Sequence, residues 1–236
     1  MKIKNKKSFF IGLVSNLVIL MCIFSVFQMC FGGTITTSTS KYEVIYNGNK
    51  NNKNASLMIN VYWGTEYLDG MLDILDQYNV KTTFFVGGYW VGKNDDMLKK
   101  IISKGHEIGN HGYYHKDQDK LTYEQNLEEI SMNHQLVKSV CDYEMKLFAP
   151  PSGAFSKNTL KASFDLGYKT IMWTKDTIDW RDKDADLIYK RAVKNMSNGD
   201  LILMHPTEHT LKALENIIKT YQENGFNLCT VSQNIA

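Results

Sequence analysis

A chain of 236 residues with 43% hydrophobic and 22% charged side chains is long enough for one sizeable core and an appendage. Its 27 basic and 25 acidic residues leave a net charge of +2, and no basic stripe with interleaved aromatics runs along it, so nucleic acid is not the expected partner. Four cysteines without a CxxC pair exclude a disulfide scaffold, and spacing alone does not decide whether Cys141 and Cys229 pair.

Lys2, Lys4, Lys6 and Lys7 precede an apolar run from Phe9 to Phe31. About 20 apolar residues of helix cross a bilayer core. The run has that length, exceeds the apolar region of a cleavable signal and shows no small-x-small cleavage site. Residues 1–33 are therefore expected to form a signal-anchor helix, lysines on the cytoplasmic side. The rest of the chain would then lie outside a cell membrane spanned once, or be secreted if the segment is cleaved. Residues 34–55 read as a polar stalk, with Asn, Gly and Lys clustered at 47–54. The folded domain is expected over 56–236.

Within that domain, short apolar runs alternate with segments of helical period. "LMINVY" reads as a strand, and Leu68, Met71, Leu72, Leu75 and Tyr78 then recur at helical spacing. "VKTTFFVGG" is a strand, "DDMLKKIISKG" a helix ended by Gly105, and "HEIGN" a brief strand. Thr122 and Gln125 form a capping box that opens a long helix. "KLFAP" is a strand stopped by Pro150, followed by the helix "NTLKASFDLG", the strand "YKTIMWT" and the helix "ADLIYKRAVKNM". "DLILMH", "TLKALENIIKTYQENG" and "NLCTV" close the series as strand, helix and strand. Strict alternation of this kind predicts an α/β domain with about seven parallel strands, as an open sheet or an incomplete barrel. No GxGxxG follows the first strand, so a dinucleotide fold has no support.

The residues able to carry chemistry fall just past strand ends: His111 and His115, then the Pro150–Gly153 turn, then Asp176, Asp179 and Trp180, then His205. In a parallel α/β fold those ends share one face, where ligands bind. His111 and His115 have the i, i+4 spacing that suits two ligands of one metal. His106, His134 and His209, at a strand start, inside a helix and at a helix entry, read as structural, and Trp63 and Trp173 read as packing residues.

"VKTTFFVGG", "GHEIGNHGYYH", "PPSGAF", "TIMWTKDTIDW" and "GDLILMHP" occur in order and resemble the signatures of the NodB-type polysaccharide deacetylases, carbohydrate esterase family 4, with "WG" similar to the sporulation-associated branch. The resemblance implies a distorted (β/α) barrel and hydrolysis of N-acetyl groups on amino-sugar polymers of the peptidoglycan or chitin type. It also implies a divalent metal, most often zinc, that polarises the amide carbonyl and acidifies water. His111 and His115 match the metal-binding histidines. His205 matches the general acid and Asp176 the carboxylate that tunes it, since a neighbouring carboxylate favours the protonated imidazole. Trp180 and Leu203 match the acetyl pocket, and a backbone N–H near Ser152 the oxyanion donor.

The first signature departs from that pattern. Aligned on Trp63-Gly64, Asn60 stands at the general-base Asp and Val61 at the metal-binding Asp; aligned on the glycine of the shorter motif, Tyr62 and Trp63 stand there. Ala149 replaces the arginine that holds the base, and Gly112 the Ser or Thr between the histidines. Losing base and arginine together avoids a stranded charge. Glu66 and Asp117 are the nearest carboxylates that could supply a third ligand. Two functions follow: a membrane-anchored deacetylase-like hydrolase, or an inactive carbohydrate-binding or scaffold protein of the cell envelope.

Overall fold

The computed structural model describes residues 14, 16–23, 25 and 42–236. Residues 14, 16–23 and 25 are helical and belong to a unit separate from the compact domain Tyr42–Ala236. Most of the expected membrane-spanning run lies outside the described residues, among which no helix is long and apolar enough to cross a membrane.

The domain starts earlier than the polar composition of residues 34–55 suggested. Val44–Ile45 (β1) pairs in parallel with Lys169–Ile171 (β6), and Asn54–Val61 (β2) begins inside the presumed stalk. Seven of the eight β2 residues are buried, as expected of a strand covered on both faces. Thr83–Val86 (β3), Glu107–Asn110 (β4) and Leu147–Phe148 (β5) continue the sheet to β6, while Asp200–Met204 (β8) and Lys175–Asp176 (β7) extend it on the other side. Asn227–Leu228 (β9) pairs with the start of β2, on the edge that β3 takes further along. All nine strands of the described sheet are parallel.

Only Met172, Trp173 and Thr174 separate β6 from β7, although the two lie near opposite ends of the strand order. Four Cα steps reach at most about 14 Å. The sheet must therefore curl until its ends nearly meet, which makes an incomplete barrel of nine strands rather than about seven. The strand expected from "YKTIMWT" stops at Ile171, where that seam begins.

Alternation sorts β2 into two faces. Leu57, Ile59 and Val61 pack outward with Phe84 and Val86 under the helices, while Met58 joins Phe85, Leu147, Ala149, Ile171 and Leu201 inside the barrel. The outer layer is formed by Thr65–Gln77 (α1), Gly88–Val91 (α2), Asp95–Ser103 (α3), Tyr123–Cys141 (α4), Lys157–Asp165 (α5), Ala185–Val193 (α6) and Glu208–Glu223 (α7). The expected capping box is present: Thr122 Oγ1 accepts from Gln125 N–H, and Gln125 Oε1 from Thr122 N–H. Gly109 has no Cβ where the Phe85 ring fills the barrel, and any larger residue there would overlap that ring.

The short helix Val231–Asn234 (α8) plugs the end of the barrel where the strands begin. Val231 N–H donates to Thr83 Oγ1 at 2.8 Å, and Asn234 Nδ2 to Ser56 Oγ at 3.1 Å. The opposite end, past the strand C-termini, is left open. Cys141 and Cys229 are free thiols.

Candidate active site

A cavity of about 570 Å³ occupies that open end, lined by residues of β2 and the turn after it, the loops after β4, β5 and β6, β7 and its following loop, and β8 with its following residue. Inward alternation along β2 brings Asn60 to its floor, 4% exposed, with an Oδ1 that has no hydrogen-bond partner among the described residues. Val61 turns the other way and is fully buried in the outer core. The register that placed Val61 at a metal position therefore points it away from the site. Tyr62 faces inward instead, its ring 4.9 Å from that of His115.

The histidine pair is held from behind. His111 Nδ1 donates to Ala149 O at 2.7 Å, which leaves Nε2 as the lone-pair nitrogen. Burial, and then the neighbouring His115, lower the His111 pKa to about 3, so the ring is neutral at ordinary pH. Burial likewise lowers the pKa of His115. The two ring centroids are 5.0 Å apart. Between them Gly112 has φ 70°, where a β-branched Thr would be strained; this accounts for glycine at that position. Its N–H donates to Asn110 Oδ1 at 2.9 Å. Glu129 Oε2 accepts from Tyr113 N–H and Tyr114 N–H at 3.1 and 2.8 Å, while Oε1 pairs with Lys116. Sequence reasoning missed Glu129, a buried carboxylate on the face of α4 that meets this loop; its only signal was an acid at a core-facing helical position.

The surroundings of His205 are also ordered, with one correction. The carboxylate bonded to His205 is Asp179, not Asp176. Asp179 Oδ1 accepts from His205 Nδ1 at 2.7 Å, and Oδ2 accepts from His205 N–H and Thr210 Oγ1, both at 2.6 Å. Asp176 lines the cavity, but its Oδ1 accepts from Ile178 N–H at 2.8 Å. Ile178 has φ 55°, a strained value for a β-branched residue. That turn folds Asp179 back beneath His205. With Nδ1–H donated to Asp179, His205 presents Nε2 to the cavity.

Ser152, Leu203 and Trp180 line the cavity as expected, and Trp63 and Trp173, read as packing residues, line it too. Trp63 is 44% exposed and stacks on His205 at 5.7 Å with an interplanar angle of 10°. Ala149, fully buried, belongs to the inner core.

The metal that the fold implies is not matched by these residues. His111 and His115 supply two neutral imidazoles, but among the described residues no three His, Cys, Asp or Glu side chains are grouped to hold an ion. Glu66 is exposed in the first turn of α1, and Asp117 pairs with Lys120 at 2.6 Å. The Asn60 amide cannot take a proton from water near neutral pH.

The pattern of the polysaccharide deacetylase family matches residues 47–171. The chain is 30% identical over 196 residues to a peptidoglycan-N-acetylglucosamine deacetylase of Bacillus cereus, covering 81% of this chain and 71% of that one. The chain belongs to the polysaccharide deacetylase family. Within it, 41% identity over 191 residues links the chain to the uncharacterized protein YlxY of Bacillus subtilis, covering 81% of this chain. The chain spans about 60% of that relative's length. The barrel superposes on the crystal structure of a CE4 family pseudoenzyme from Bacillus anthracis with a TM-score of 0.81 at 35% identity, covering 83% of this chain and 69% of that one. A mutant of that pseudoenzyme with restored enzymatic activity superposes with a TM-score of 0.80 at 33% identity, covering 83% and 72%. The deacetylase (β/α) barrel read from the motifs is thus the fold of this chain.

Proposed function

We propose that this deacetylase-family chain binds N-acetylated amino-sugar polymers of the cell envelope in its cavity and does not hydrolyse them. The carrying observation is the composition of the cavity floor. Asn60, Tyr62 and Trp63 face the cavity and Val61 the outer core, so neither register puts a carboxylate at the base or metal position, while the aromatic and apolar walls are kept. Ala149 removes the arginine that would serve a base, so the loss is coordinated rather than a single lesion. The pseudoenzyme from Bacillus anthracis supports the same reading.

Peptidoglycan is the polymer named for the Bacillus cereus relative, which favours it over a chitin-like chain here. The lysine-flanked apolar run at residues 9–31 supports a membrane anchor with the domain outside the cytoplasm, in wall or spore-envelope construction. Zinc, if bound by His111 and His115 alone, would be held weakly.

Trp63, Trp173 and Trp180 line the cavity, so tryptophan fluorescence reports its occupancy. Titration with tetra-N-acetylchitotetraose should shift the emission saturably, and Leu203→Arg should abolish the shift. A flat titration against chitooligosaccharides and soluble peptidoglycan fragments alike would overturn the reading.

A second reading, a weak hydrolase, is favoured by His205 and Asp179. A sugar-binding protein has little need for so complete a hydrogen-bond set beneath one imidazole. Acetate release abolished by His205→Ala would establish it.

A further inference from the structure

We infer that the end of the barrel opposite the cavity is a docking surface for an anionic phospholipid bilayer, formed by a ring of lysines. The inference goes beyond the glycan reading and does not depend on it.

The strands are parallel, so their first residues gather at one end, the end plugged by α8. Followed in sheet order, strand after strand begins near a lysine. Lys169 opens β6, Lys146 immediately precedes β5, Lys104 and Lys81 precede β4 and β3, and Lys53 immediately precedes β2. Beyond β2 the ring continues through Lys194, before β8, and Lys175, which opens β7. Neighbours in it touch through the backbone: Lys169 N–H donates to Lys146 O at 3.0 Å, and Lys175 Nζ donates to Lys194 O.

Part of this charge is used within the fold. Lys175 is largely buried against Asp200 at 3.3 Å, and Lys81 and Lys104 share Asp76. Lys53, Lys146, Lys169 and Lys194 are exposed and form no ion pair among the described residues, and Lys50 adds one more such lysine ahead of β2. Against them stand Glu43, Asp142 and Glu223, the exposed acids at this end that form no ion pair among the described residues. Glu107 is taken up by Thr83 and the Ser232 N–H of the plug. The balance at this end is positive.

The cavity end carries the opposite sign. Helix first turns lie there, with Glu66, Asp95, Asp96, Glu124, Asp186 and Glu208. Acids are expected at helix N-termini, where they offset the helix dipole. The same rule does not account for Lys53, Lys146 and Lys169, which lie in no helix. An anionic surface attracts the lysine end and repels the cavity end, so it orients the domain as well as holding it.

The path of the chain favours a bilayer as the occupant. Tyr42, the first residue of the domain, stands at the lysine end, because β1 runs parallel to β6. Residues 32–41, between Tyr42 and the apolar run proposed as an anchor, span at most about 36 Å. That length keeps an anchored domain near the headgroups; the lysine face then meets them and the cavity opens away.

Amine acetylation, read lysine by lysine by mass spectrometry, tests this on the full chain reconstituted in vesicles with the domain outside. In vesicles containing phosphatidylglycerol, Lys53, Lys146, Lys169 and Lys194 should react more slowly than in pure phosphatidylcholine, by roughly threefold or more. Lys93, Lys116 and Lys183, exposed at the cavity end, should react alike in both. Salt near 1 M, where the Debye length is about 3 Å, should abolish the difference. The double variant Lys146→Glu, Lys169→Glu should remove the protection of Lys53 and Lys194. Equal rates in the two vesicles at all four lysines would overturn the inference, as would equal slowing at both ends of the barrel. Slowing by soluble polyglutamate, with none from the anionic vesicles, would overturn it too and assign the face to an anionic polymer.

Discussion

Tyr62→Asp should raise zinc affinity roughly a hundredfold over the natural chain, because one further ligand contributes on the order of 3 kcal/mol when whole zinc sites reach about 10–16 kcal/mol. The two imidazoles are already prepared for it. His111 is neutral and oriented by Ala149 O, and its ring centroid lies 5.0 Å from that of His115. The inward face at residue 62 is where a carboxylate could meet them, since the Tyr62 ring lies 4.9 Å from His115. Val61→Asp is the control: it would bury a charge in the outer core and should lower stability without gaining metal. Adding His111→Ala to Tyr62→Asp should remove the gain. Isothermal titration with zinc decides it, and equal affinities for the natural chain and Tyr62→Asp would show that residue 62 does not face the metal position.

Acid should destabilise the fold steeply below pH 6.5. Burial, and then Lys81, lower the His106 pKa from 6.5 to about 4, and burial with His115 lowers that of His111 to about 3. Both histidines are neutral in the folded and unfolded chain above pH 6.5, so their contribution is complete there. As pH falls below 6.5 the unfolded chain takes up protons that the folded chain refuses, and stability drops by roughly 1.4 kcal/mol per pH unit for each histidine. Together they give a slope of about 2.7 kcal/mol per unit between pH 6 and 4.5. Urea denaturation across that range should show it. His106→Asn, whose Oδ1 can accept from Thr82 N–H as His106 Nδ1 does at 3.2 Å, should lose about half the slope. A slope unaffected by His106→Asn would place the proton uptake elsewhere.

The sequence made the framework legible because the chemistry sits where strands stop. "HEIGN", "KLFAP" and "DLILMH" each end at the cavity, so His111, Ser152 and His205 could be brought together from topology alone. What was not legible depends on turns. Asp176 and Asp179 occupy one loop, and only the left-handed turn at Ile178 decides which of them lies under His205. Beyond the strand end, side-chain alternation soon fails as a guide: Tyr62 still continues the inward face of β2, but Trp63, next in line to point outward, swings over His205. The seam between β6 and β7 and the pairing of β1 are products of barrel closure, which no local pattern records. Glu129 was hidden for a similar reason, since its role depends on how the histidine loop just before α4 folds back against that helix.

On the proposed reading, hydrolysis fails at the cavity floor and not at the barrel or at His205. Acetate release from N-acetylated peptidoglycan, measured with excess zinc beside a binding titration on the same preparation, tests this most directly. Saturable glycan binding with no acetate above the protein-free control is the expected result. Acetate released catalytically by the natural chain, and lost in both His111→Ala and His205→Ala, would contradict it.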